Sequence, residues 1–151
     1  MTAGENEIVA SRVFEAPPEQ TFRAWTTPEL LARWWGPHGF TNTFHECDIR
    51  PGGEWQYTMH GPDGTDYPNR NVFVEIVPQE RIVLDHLTGH EFRVTATFED
   101  VGGRTRVVFR QQFKLAEEYE QAKAYCVEGN EQNLDRLGAL LEEMLEKARD
   151  D

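Results

Sequence analysis

One serine, Ser11, and two cysteines, Cys47 and Cys126, are all the side-chain thiols and serine hydroxyls in this chain of 151 residues. The serine stands in no Gly-x-Ser-x-Gly elbow, which removes the α/β-hydrolase nucleophile. Two cysteines make no disulfide framework and are expected as buried, reduced thiols, as in a cytoplasmic protein. Neither has a histidine directly beside it, so a Cys–His pair has no local support. Positive charge is also short. Lys and Arg number 15 against 27 Asp and Glu, a net charge of −12, so a nucleic-acid backbone or an anionic membrane would repel the chain. Met1 to Ser11 is polar and acidic and holds no apolar run for secretion or spanning. Linkers, repeats and low-complexity tracts are missing too. The expectation is a single domain, residues 1–151, large enough to bury a core without disulfides or metals.

Rings are plentiful: nine Phe, four Trp and four Tyr, 11% of the chain. Such rings suit a cavity wall or a small core. Ile8 to Glu15 reads as a strand stopped by Ala16-Pro17-Pro18, and Pro18 opens a helix on which Phe22 and Trp25 share a face. Thr27 is the expected N-cap of a second short helix, with Pro28 in its first turn and Leu30, Leu31 and Trp34 inward. Gly36-Pro37 ends it. Neighbouring helix positions diverge around the axis, so the adjacent pair Trp34 and Trp35 cannot both serve one core face. Trp34 anchors the helix; Trp35 is either a cavity wall or a second core anchor.

From Phe40 the period becomes two, the mark of half-buried strands. Trp55, Tyr57 and Met59 alternate with polar residues, and Gly61-Pro62-Asp63-Gly64 has turn composition. Further strands are expected over Asn71 to Val77, Arg81 to Leu87, Phe92 to Phe98 and Thr105 to Phe113, with connections short enough for antiparallel neighbours. From about Glu117 to Lys147 the period is helical, with Val127, Leu134, Leu137, Leu141 and Met144 or Leu145 as the apolar stripe. Thirty helical residues span roughly 45 Å, so this helix must lie across a large sheet. The fold class is therefore α+β: a curved antiparallel sheet of about seven strands, two short helices after the first strand, and a long C-terminal helix. A concave sheet under one helix leaves a gap, and that gap is a pocket.

The ordered set Trp34-Trp35-Gly36-Pro37, Asp48-Ile49-Arg50-Pro51-Gly52-Gly53, Gly61-Pro62-Asp63-Gly64, Pro78-Gln79-Glu80-Arg81-Ile82-Val83 and Leu134-Asp135-Arg136-Leu137 resembles the SRPBCC (START-like, helix-grip) superfamily. Within it, the nearest likeness is to the branch related to the C-terminal domain of activators of the heat-shock-protein-90 ATPase. The resemblance covers about residues 7 to 145. It implies a helix-grip fold, and it leaves function among ligand carriers, co-chaperone domains and cyclase- or hydrolase-type enzymes, because function resides in sites and not in folds. One departure stands out: many relatives carry Gly-Trp where this chain has Gly129-Asn130, so a relative's ligand does not carry over.

The candidate cavity residues are Trp35, Trp55, Tyr57, Met59, Phe73, Glu75, His86, Phe109, Gln111 and Asn130. Glu75 shares strand parity with Phe73 and, if that face is concave, is a carboxylate in an aromatic pocket; otherwise it points outward. His86 and His90 flank a short turn and either rim the cavity or sit in a solvated turn. Three or four converging ligands would be needed for zinc, and no third one is evident, so neither metal nor cofactor is expected. Asp48 and Arg50 are read as an ion pair that fixes a hairpin. Gly129 is read as letting the helix approach the sheet, and Asn130 as reaching either solvent or a ligand. No complete catalytic set appears, so an enzyme ranks below a binding protein. The expected partners are an unidentified apolar small molecule or a chaperone, with no nucleic acid and no membrane insertion, the protein being a monomer or homodimer.

Overall fold

The computed structural model describes residues 6–150; the first five residues of the polar N-terminal stretch lie outside the described residues. In chain order the elements are β1 (Glu7–Phe14), α1 (Pro18–Thr26), α2 (Pro28–Trp34), β2 (Thr41–Cys47), β3 (Glu54–His60), β4 (Asp66–Val77), β5 (Arg81–His86), β6 (Phe92–Val101), β7 (Arg104–Phe113) and α3 (Ala116–Asp150). The seven strands form one antiparallel sheet in the order β1-β7-β6-β5-β4-β3-β2, so β1 joins the far edge by pairing with β7. This is the α+β helix-grip architecture. No helix among the described residues is long and apolar enough to cross a membrane.

Alternation sets the inward face. Val94 pairs with Gln111, Ala96 with Phe109 and Phe98 with Val107, so the buried faces of β6 and β7 make one floor. Trp55 and Tyr57 on β3, Asn71 and Phe73 on β4, and Ile82 and Leu84 on β5 extend it. Leu134, Leu137, Leu140 and Leu141 of α3 close over the floor at one end, joined by Trp25 and Trp34.

Several local expectations change. β4 begins at Asp66 and runs through Pro68, which pairs with Thr58. Thr27 stands at the N-cap of α2 but makes no side-chain cap bond. The Glu75 parity fails because the register slips between Phe73 and Glu75. That extra residue, Val74, turns Glu75 out to solvent, where Arg81 Nε donates to its carboxylate at 2.5 Å. Glu75 is therefore no pocket carboxylate. Val127 is 53% exposed: the inward line at that end of α3 runs through Ala122, Cys126 and Asn130, at i, i+4 and i+8, and leaves Val127 beside it. Asp48 and Arg50 do form an ion pair, at 2.7 Å. Gly53 is held to glycine by space, since a Cβ there would lie 1.9 Å from the Asp48 carbonyl oxygen.

Candidate functional site

The two tryptophans part company at the end of α2. Trp34 keeps the helical phase, packs edge-on to Trp25 at 4.7 Å and donates from Nε1 to the Ala24 carbonyl at 2.9 Å. Trp35 leaves the helix in an extended conformation (φ −67°, ψ 129°), which swings its ring over Trp55 at 5.0 Å. Its Nε1 donates to the Tyr57 hydroxyl at 3.1 Å. Gly36 follows with φ +102°, a conformation that favours glycine, and a Cβ there would also displace the Met59 methyl, 2.6 Å away. Trp35 is thus both things the sequence allowed: buried in the core cluster and part of a cavity wall.

Helix α3 fastens this corner. Arg136 Nη1 donates to the carbonyls of Trp35, Gly36 and Pro37 at 3.2, 3.0 and 3.0 Å, and Nη2 to Arg33 O at 2.9 Å. Those include carbonyls that the end of α2 leaves without helical partners. Asn133 Oδ1 accepts from Gly36 N, and Gln132 Oε1 from His38 N, each at 3.1 Å. The segments Trp34-Trp35-Gly36-Pro37 and Leu134-Asp135-Arg136-Leu137, a hundred residues apart, are thus two sides of one joint.

Past that joint a cavity of about 680 Å³ opens between the sheet and the N-terminal half of α3. Trp35, Tyr57, Met59, His86, Phe109, Gln111 and Asn130 all line it. Trp55 and Phe73 do not: they lie on the same face of the sheet but each is 1% exposed, the two stacked together at 5.8 Å and Trp55 covered by Trp35 and Tyr57. Sequence reading missed Asn71, Phe92, Phe113 and Cys126, which also line the space. For Asn71 a signal existed, since it has the parity of Phe73 on a strand whose inward positions should be apolar. For Cys126 the signal was its i, i+4 relation to Asn130.

The rim is polar. His86 stacks on Phe92 at 4.4 Å and donates from Nδ1 to the His90 carbonyl at 2.8 Å, with Nε2 2.7 Å from Asn69 Oδ1. Burial lowers the His86 pKa, the His90 carbonyl bond opposes the fall, and the nearby His90 ring adds to it. His90 in turn meets Glu118 of α3 at 3.1 Å. Inside, Asn130 Nδ2 donates to Gln111 Oε1 at 3.0 Å, so Asn130 turns to the sheet and not to bulk water. Burial pushes the Cys126 thiol pKa up, against a bond from Gln111, and burial takes the Tyr57 hydroxyl to about 12. Neither is poised to act as a nucleophile near neutrality. Among the described residues no three of His, Cys, Asp and Glu converge as a metal site.

The model of the family described as "Activator of Hsp90 ATPase homolog 1-like protein" matches residues 15–142. The chain belongs to that family. None of the curated proteins matches it in sequence. Among solved structures it is similar to a protein from Arthrobacter aurescens, at 25% identity and a TM-score of 0.85, covering 92% of this chain and 87% of that one. A protein from Chromobacterium violaceum is 28% identical with a TM-score of 0.78, over 91% and 97% of the two chains. A third, from Nitrosomonas europaea, has a TM-score of 0.85 over 95% and 99% at 19% identity, a likeness of fold alone.

Proposed function

We propose that this protein is a cytoplasmic, single-domain binding protein that holds an apolar small molecule between its sheet and α3. The observation that carries the reading is the cavity. Its volume of about 680 Å³ falls within the range of small-molecule sites, roughly 300–1,000 Å³, and its rings with a few polar groups match their usual lining. Trp35, Tyr57, Met59, Phe109, Gln111 and Asn130 would contact the ligand, with His86 at the rim. Asn130→Trp tests this directly, because an indole there fills the space in front of Gln111. Wild type should take up the neutral dye Nile red, and the variant should bind it about tenfold more weakly. Equal uptake by the two folded proteins would place the dye elsewhere and overturn the reading.

The family match favours a second reading, a co-chaperone that docks on an Hsp90-type chaperone. The net charge of −12 would then steer the encounter with a basic surface. Under this reading the protein raises the chaperone's rate of ATP turnover. An unchanged rate at concentrations where the complex is saturated would remove it.

A further inference from the structure

The next step rests on the ligand-binding reading and concerns what the ligand must carry. Among the described residues, four buried side-chain atoms have no hydrogen-bond partner: Trp25 Nε1, Asn42 Oδ1, Trp55 Nε1 and Asn71 Oδ1. Of these four residues, Asn71 alone belongs to the cavity wall, and it is 1% exposed. A buried amide oxygen without a donor is a standing cost to the fold, and a ligand hydrogen would relieve it.

Beside it stands the Tyr57 hydroxyl. It accepts from Trp35 Nε1 at 3.1 Å and from Asn71 Nδ2 at 3.4 Å. With two donors on its oxygen, its own hydrogen remains, and no described residue accepts it. A free donor and a free acceptor therefore adjoin on one wall. The free acceptor belongs to this amide orientation, with Nδ2 toward Tyr57; turned over, Tyr57 would donate to Oδ1 and the orphan would be Nδ2, a donor alone.

Charge narrows the choice. No lysine or arginine is among the described residues lining the cavity, whereas Asp66 stands at its edge. Arg136, which holds the Trp35–Pro37 corner, is committed to four backbone carbonyls. An ionised carboxylate entering here would lose its water and meet no permanent cation, since burial disfavours the charged form of His86 and His90 already faces Glu118. We propose that the cavity selects a neutral ligand whose apolar body carries a donor and an acceptor side by side, as a carboxamide or lactam does, read by Asn71 and Tyr57. Ionised acids of the same shape are rejected.

Three probes of one shape test this at pH 7: naphthalene, 2-naphthamide and the ionised 2-naphthoate, titrated by quenching of tryptophan fluorescence. The amide should bind at least about tenfold tighter than the carboxylate, and several-fold tighter than naphthalene. In Asn71→Leu, which removes the orphan with a side chain of similar shape, naphthalene binding should persist and the amide's advantage over it should vanish. Tyr57→Phe is a second, independent variant with the same expected loss. Carboxylate binding equal to the amide's, or an amide advantage that survives in both variants, overturns the proposal and leaves the apolar-ligand reading intact. Failure of wild type to bind any of the three overturns both.

Discussion

The two halves of α3 obey one periodicity and do opposite things. Toward the C-terminus, the inward positions are Leu134, Leu137, Leu140 and Leu141, all buried against the sheet and the short helices. Toward the N-terminus the same stripe continues as Ala122, Cys126, Gly129, Asn130 and Asn133, which line the cavity. Leucines fill the space under the helix; small and polar side chains leave it open. The ends also differ in how they are held. The C-terminal half carries the Arg136 joint, and its Asp135 pairs with Arg12 on β1 at 2.5 Å. The N-terminal half leaves Tyr125 and Val127 exposed, and its tie at the rim is Glu118 to His90. One element thus serves as core at one end and as a roof at the other, and side-chain size decides which.

The largest effect should come from erasing that difference on the packed side. Leu137→Ala removes a side chain that is 0% exposed, and such truncations cost about 2–5 kcal/mol where the site cannot collapse. Cys126→Ala on the roof removes a half-buried sulfur bordering space that is already open, and should cost under about 1 kcal/mol. Urea unfolding of both variants measures the contrast. Comparable losses would mean that the N-terminal half is as tightly packed as the other.

This contrast also marks where the sequence was readable. Strand alternation at Trp55-Tyr57-Met59 and Phe92-Val94-Ala96-Phe98, and the leucine stripe of α3, are repeated patterns, and each yields its element and inward face. What escaped depends on single residues that break a pattern. Val74 adds one residue to β4 and reverses the parity of Glu75. Trp35 covers Trp55, so two rings of one face have different fates, one lining space and one sealed. The expected strand began at Asn71, so the start of β4, Asp66 to Arg70, and with it the cavity-lining Asn69, was not read. Val127 fits the heptad drawn through Leu134 and Leu141 but lies off the line set by Ala122, Cys126 and Asn130, which only the placement of the helix over the sheet reveals.

A smaller effect is expected at the rim and depends on pH. The folded state lowers the pKa of His86, chiefly by burial. The unfolded chain therefore binds its proton more readily than the fold does, and unfolding is favoured as pH falls below the ordinary histidine value of about 6.5. The contribution is fully present above that value and is lost as pH drops through the folded pKa. His90 and Glu118 adjoin His86 at the rim, so the informative quantity is the difference between wild type and His86→Gln. The variant should lose less stability between pH 7 and pH 5. Parallel losses would show that His86 is not the group that senses the change.

The smallest effect separates the two glycines of α3, one on each half. A glycine inside a helix costs about 1 kcal/mol relative to alanine, because its backbone loses more freedom on folding. Restoring a Cβ recovers that amount only where there is room. At Gly129, on the roof, an added Cβ would lie 3.6 Å from Pro37 Cγ, an ordinary contact, so this position does not need glycine for close approach to the sheet. At Gly138, on the packed half, the Cβ would come within 3.3 Å of Cε1 and 3.6 Å of Cδ1 of Phe14 on β1. The Phe14 ring is 5% exposed within the core cluster, and close-packed surroundings give little way. Gly129→Ala should therefore stabilise the fold by about 0.5–1 kcal/mol, and Gly138→Ala should gain nothing or lose a similar amount. Paired melting curves decide it, with the sign of the difference as the test. If Gly138→Ala stabilises as much as Gly129→Ala, the helix has room to lift from β1, and the C-terminal half is not the rigid anchor that the leucine packing implies.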